Sequence, residues 1–113
     1  MVYKLSAKDQ YITIVLSEFN IKITKRLLIG AQEAFSNYKG LDSHLKIYRV
    51  PGAFEIPATI QQIIKQHQPN AIVALGAVIR GETPHFDFVA RESAHGISQI
   101  SQKIDIPIIN GIL

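Results

Sequence analysis

Residues 71–79 read AIVALGAVI, a run without a single polar side chain. Such a run suits a strand covered on both faces, as strands inside parallel sheets are. Three other runs have β character: YITIVLSEF at 11–19, LKIYRV at 45–50 and IPIINGIL at 106–113. Segments with helical spacing lie between them. Leu27, Leu28, Ala31, Ala34, Phe35 and Tyr38 recur at three- and four-residue intervals, as do Ile56, Ile60, Ile63 and Ile64. Val89, Ile97, Ile100 and Ile104 follow more loosely, with the small residues Ala90, Ala94 and Gly96 between them. Turn residues at 37–40 and at Gln68-Pro69-Asn70 punctuate the units. The order is β-α-β-α-β-α-β, which predicts right-handed crossovers and a parallel α/β sheet.

Three helices are too few to cover four strands on both faces. The pattern therefore predicts either partner subunits on the bare face or a further helical segment beyond Leu113, and the second is favoured. At 113 residues, 47% of them hydrophobic and 19% charged, the chain is expected to form one globular domain, 1–113, with a modest core. It has no cysteine, which excludes disulfides and thiolate metal sites and suits a cytoplasmic protein. The opening MVYKLSAKDQ lacks the apolar stretch of a secretory leader. No run approaches the roughly 20 apolar residues of a membrane span. The net charge of +3 is scattered. Its densest group, Lys22, Lys25 and Arg26, reads as a solvated helix face rather than a nucleic-acid stripe. A mild positive excess also suits a small anionic ligand. Neither nucleic acid nor membrane is an expected partner.

In open α/β sheets, ligands bind where the carboxyl ends of strands meet the following helices. Each of the three crossings here carries unusual residues. The first, SEFN, puts Phe19 where the chain leaves the sheet and Asn20 in the position of a helix N-cap. The second, VPGAFEIP, has a turn at Pro51-Gly52 and small residues that let a ligand approach the backbone. Phe54 and Glu55 follow, and Pro57 places the next helix start near residues 54–56. The third, AVIRGETPHFDF, has Thr83 as N-cap and Pro84 as first helical residue, which puts His85 in the first turn. Backbone N–H groups from Gly81 to His85 would converge at the positive end of that helix, where an anion such as phosphate is favoured. An imidazole there can accept a proton and return it. Taken singly, Phe19 reads as a packing residue, Thr83-Pro84 as an ordinary helix start and His85 as a surface residue. Along one sheet edge, two aromatics, a carboxylate, an anion cradle and a histidine favour an enzyme over a bare scaffold.

The segments EFN, VPGAFEIP and GAVIRGETPHFDFVARESAHGI, in this order and spacing, closely resemble the lumazine synthase family (6,7-dimethyl-8-ribityllumazine synthase). The resemblance runs from about Tyr11 to Leu113. It implies a flavodoxin-like three-layer sandwich with parallel sheet order 2-1-3-4, the C-terminal helices of the family being absent from this chain. It implies condensation of 5-amino-6-ribitylamino-2,4-pyrimidinedione with 3,4-dihydroxy-2-butanone 4-phosphate to the lumazine, phosphate and water, in riboflavin biosynthesis. No metal or organic cofactor is implied. Active sites are expected between adjacent subunits of a pentamer, or of a larger assembly. Carried over by motif, Phe19 would stack on the pyrimidine ring beside Asn20. Ala53, Phe54 and Glu55 would line the pocket, with Glu55 a partner for ribityl hydroxyls. The Ala77, Val78 and Ile79 backbone would meet the pyrimidine edge, Glu82 and Thr83 the phosphate, and His85 would transfer protons. Asn110 stands where some members have an aromatic; facing a neighbour's pocket, it would hydrogen-bond rather than stack. The family continues several tens of residues further and there supplies a phosphate-binding arginine from the neighbouring subunit. Residues 1–113 alone are accordingly expected to have weak activity or none.

Two other readings stay open on the residues. One is a non-catalytic module that binds a flavin or a lumazine; the other is a shell-forming member of the same fold. A phospho-receiver domain fits poorly, because no acidic pair follows the first strand. A dinucleotide site fits poorly, because no G-x-G-x-x-G follows any strand.

Overall fold

The apolar runs form the strands of one parallel sheet. In the computed structural model, which describes residues 5–79 and 85–113, β1 (Ile12–Ser17) lies between β2 (Leu45–Val50) and β3 (Ala71–Gly76), and β4 (Ile108–Ile112) lies beyond β3. The order is 2-1-3-4, as the resemblance implied. Ile14 sits opposite both Ile47 and Val73, and Ala74 opposite Asn110. The crossovers are α1 (Ile21–Asn37), α2 (Ile56–Gln66) and α3 (Phe86–Ser101).

Alternation along β1 divides the core into two layers. Ile14 and Leu16 pack with Leu28 of α1 and Leu75 of β3. Val15 points the other way, into a cluster with Ile56, Ile60 and Ile63 of α2 and Ile97 and Ile100 of α3. Ile14, Val15 and Leu16 are all buried, at 1%, 0% and 0% exposure. A strand covered on both faces can be apolar without interruption, because neither face meets water. Each such side chain contributes about 1.5–3 kcal/mol by leaving water.

Helices α2 and α3 share one face of the sheet and touch closely. A Cβ added at Gly96 would lie 2.8 Å from ring carbons of Pro57, so the missing side chain sets their separation. On the opposite face α1 is the one helix among the described residues. There Ile109, in register with Val73, is 51% exposed, and an apolar hollow of ≈ 440 Å³ opens beside α1, Ile12, Val73 and Ile109. The expectation that three helices leave one face thinly covered is met at this point.

Two strands stop earlier than their apolar runs. β1 ends at Ser17 rather than at residue 19, because the next two N–H groups, of Glu18 and Phe19, both turn to the second crossing and donate to Val50 and Pro51. Consecutive donors toward one side break the alternation a strand needs. β3 ends at Gly76, although Val78 N–H still donates to Leu113.

Candidate functional site

The crossings that leave β1 and β2 meet at the carboxyl edge of the sheet, joined by backbone bonds, and the described start of the third lies beside them. Phe19 N–H donates to the Pro51 carbonyl at 2.9 Å. Its ring is left 48% exposed at the edge. Asn20 occupies the N-cap position of α1 in the left-handed region, φ 63° and ψ 53°, and its side chain makes no bond to the helix. Ile23 and Thr24 N–H groups bond its backbone carbonyl instead. Its amide nitrogen reaches across to the Ala77 carbonyl, at 3.4 Å. The expected side-chain cap is therefore a tie between the first and third crossings. Asparagine is among the few residues besides glycine that adopt the left-handed conformation readily.

In the second crossing, Gly52 is extended, with φ −146° and ψ 173°, so its value lies in space rather than in backbone freedom. A short 3₁₀ turn, Ala53–Glu55, leads into α2, with Pro57 in the first turn as expected. Glu55 closes the turn on itself. Its N–H donates to the Gly52 carbonyl at 3.2 Å, and its Oε2 accepts the Gly52 N–H at 3.1 Å. One carboxylate oxygen is thus engaged by the loop. Ala53 is buried at 4% exposure, while the Phe54 ring is 50% exposed.

These elements enclose a cavity of ≈ 290 Å³ lined by Phe19, Pro51, Gly52, Ala53, Phe54, Glu55, Ala77, Val78 and Val89. The volume is at the small end of the roughly 300–1,000 Å³ usual for small-molecule sites. Of the expected site residues, Phe19, Ala53, Phe54, Glu55, Ala77 and Val78 are brought together here. Phe19 also borders a second hollow of ≈ 530 Å³, which holds Asn20, Lys22 and Ile79.

The third crossing is described only in part. Glu82 and Thr83, expected to hold phosphate, lie outside the described residues, as do Gly81 and Pro84. Helix α3 starts at Phe86, so His85 is exposed at the N-cap position rather than inside the first turn. The Val89 N–H donates to the His85 carbonyl at 2.9 Å. His85 thus lies one turn, about 6 Å along the axis, from a residue that lines the cavity. Asn110 lines neither hollow. It is exposed on β4, at the rim of the sheet, where its Oδ1 accepts the Ile112 N–H at 3.0 Å.

Val89 was missed as a lining residue, although its spacing of four from His85 on a helix places both on one side. Phe88 was missed as well, and its ring stacks on Phe54 with centroids 5.6 Å apart and planes 26° apart. Among the described residues no group of three or more His, Cys, Asp or Glu could hold a metal ion. No helix among them is long and apolar enough to cross a membrane. The site instead combines aromatic faces, one fixed carboxylate and backbone polar groups at the ends of β1 and β3. That set suits a planar ligand with hydrogen-bonding groups at its edge.

Comparison with known proteins gives the family. Residues 9–113 match the family model for 6,7-dimethyl-8-ribityllumazine synthase. The chain is similar to a 6,7-dimethyl-8-ribityllumazine synthase of Helicobacter hepaticus, with 45% identity over 93% of this chain and 67% of that protein. It is similar to proteins of the same name from Desulfosudis oleivorans, at 44% identity over 96% and 69%, and from Protochlamydia amoebophila, at 46% over 97% and 64%. The chain thus spans about two thirds of the length of these relatives.

Proposed function

The chain belongs to the 6,7-dimethyl-8-ribityllumazine synthase family, and from that premise we propose that its sheet edge serves the condensation of 5-amino-6-ribitylamino-2,4-pyrimidinedione with 3,4-dihydroxy-2-butanone 4-phosphate. The observation that carries this reading is the convergence of Phe19, Phe54, Glu55 and the Ala77-Val78 backbone on one cavity. A non-catalytic flavin-binding module would need the rings but no proton-transfer group at the head of α3. A shell protein would need no cavity.

In this reading the pyrimidine ring lies on Phe19, with its polar edge toward the backbone at Ala77, Val78 and Ile79. The ribityl arm runs toward Glu55, whose carboxylate is already oriented by Gly52 N–H. The butanone phosphate takes the other half of the site. Its phosphate is assigned to Glu82 and Thr83, which precede α3 in the sequence; the partial positive charge at the amino end of a helix favours an anion. The primary chemistry then runs in three steps. The amine of the pyrimidine attacks the ketone and water leaves as an imine forms. Phosphate departs by elimination, and the second nitrogen closes the ring with loss of a second water. Each step moves a proton, and His85 is the group proposed to carry it. No metal or organic cofactor takes part. Holding the two substrates side by side supplies much of the acceleration, since effective molarities reach about 10⁵ M or more.

Self-association into a pentamer or higher assembly completes the reading. Half-exposed Phe19, Phe54 and Phe88 at one edge are the kind of apolar patch that a partner or a ligand covers. Asn110, at the sheet rim, is assigned to a neighbour's cavity. A cytoplasmic location is part of the same proposal. The test uses a full-length protein, because residues 1–113 alone are expected to have weak activity or none: mixing the two substrates with it should release inorganic phosphate and form the lumazine chromophore in equal amounts. Ligand binding without phosphate release would support the flavin-binding alternative instead.

A further inference from the structure

The Phe54 ring forms part of the cavity wall but stands on a three-residue 3₁₀ turn and is half exposed. A half-exposed phenylalanine has two side-chain torsions that burial alone does not fix. What it does have is Phe88, whose ring lies against it at 5.6 Å in an offset parallel stack. Phe88 is absent from the cavity lining, while the next residue, Val89, is part of it. Phe88 also lies three residues after His85, so one helical turn carries both the histidine and the ring that touches Phe54. The stack couples the second crossing to the third.

We infer that Phe88 is a positioning residue for the condensation: it holds Phe54 in the orientation that closes the outer wall of the cavity on the pyrimidine ring. This rests on the function proposed above. Aromatic stacks of this kind favour the stacked arrangement by roughly two- to twelvefold, and losing that bias should appear in substrate binding by about the same factor. Phe88 reaches the substrate only through Phe54, so its effect should vanish once Phe54 is gone.

Steady-state kinetics of the whole protein test this. Phe88→Ala should raise KM for the pyrimidinedione about three- to tenfold with kcat within twofold, and Phe88→Tyr, which keeps the ring, should restore KM. Phe88→Leu, which keeps bulk without a ring face, should behave like the alanine variant. The Phe54→Ala and Phe54→Ala/Phe88→Ala proteins should have the same KM. An unchanged KM in Phe88→Ala, a full rescue by leucine, or additive losses in the double variant would each overturn the inference while leaving the proposed function standing. Absence of condensation by the unsubstituted protein would remove the function and this inference together.

Discussion

The Phe19 N–H donates to the Pro51 carbonyl at 2.9 Å, joining two loops separated by α1 and β2. The bond is made by backbone, so the place of the first aromatic wall does not depend on its own ring. A side chain that the fold does not need is available for a ligand, and that separation makes the site testable without unfolding the protein.

Phe19→Ala should therefore keep the fold and weaken ligand binding. With the ring half exposed, its removal deletes little core packing, and thermal melting should shift by no more than a few degrees. Loss of one stacking face should weaken binding of a ribitylated pyrimidine by about two- to tenfold, read by fluorescence titration. A large drop in melting temperature would mean that the ring is structural after all.

Replacement of His85 by alanine should slow turnover while leaving ligand affinity within about twofold. General acid–base groups contribute typically 10²–10⁴-fold. Here the factor should fall at or below the lower end, about 10- to 100-fold, because approximation of the substrates does much of the work. Single-turnover measurements separate the two effects. Equal rates for both proteins would remove His85 from the proton path.

Two glycines in helices should answer oppositely to alanine. At Gly96 the new methyl would lie 2.8 Å from Pro57, forcing α2 and α3 apart at a cost of about 1–3 kcal/mol. At Gly30, inside α1, nothing lies within 4 Å of the added Cβ, and alanine should stabilise by about 0.5–1 kcal/mol through helix propensity. Urea unfolding of the pair reads the signs directly.

Asn20 holds a left-handed backbone and ties the first crossing to the third through the Ala77 carbonyl. Asn20→Gly keeps the backbone free to adopt that conformation and loses only the tie. Asn20→Ala loses both, and should unfold about 1–2 kcal/mol more easily than the glycine variant. Equal stabilities would show that the loop relaxes to another conformation at no cost.

β1 and β3 were legible because burial on two faces favours apolar residues, as Ala71–Gly76 shows plainly, and β2 from its alternation. Helices α1 and α2 were legible from the spacing of Leu28 and Ile60 with their neighbours. Asn20 was readable as a residue suited to a helix start but not as a cross-loop tie, because its partner, Ala77, is distant in sequence and the left-handed turn is set by tertiary contact. The start of α3 shows the same limit: a Thr-Pro pair predicts a helix start by local chemistry, and the helix begins at Phe86, one residue past the histidine. Phe88 escaped notice because a ring at helical spacing looks like core, and only the folded loop places Phe54 against it. The lumazine synthase motifs named the cavity-lining residues Phe19, Ala53, Phe54 and Glu55, which physical reasoning alone had left as separate weak signals.

The central claim is that the cavity between Phe19, Phe54 and Val89 is where the pyrimidine binds. A crystal structure of the protein soaked with the ribitylaminopyrimidinedione tests it most directly. The account predicts the ring in that cavity, with one face on Phe19 and the ribityl arm toward Glu55. Finding the ring elsewhere, for instance in the apolar hollow beside Ile109, with the Phe19 edge empty, would contradict it.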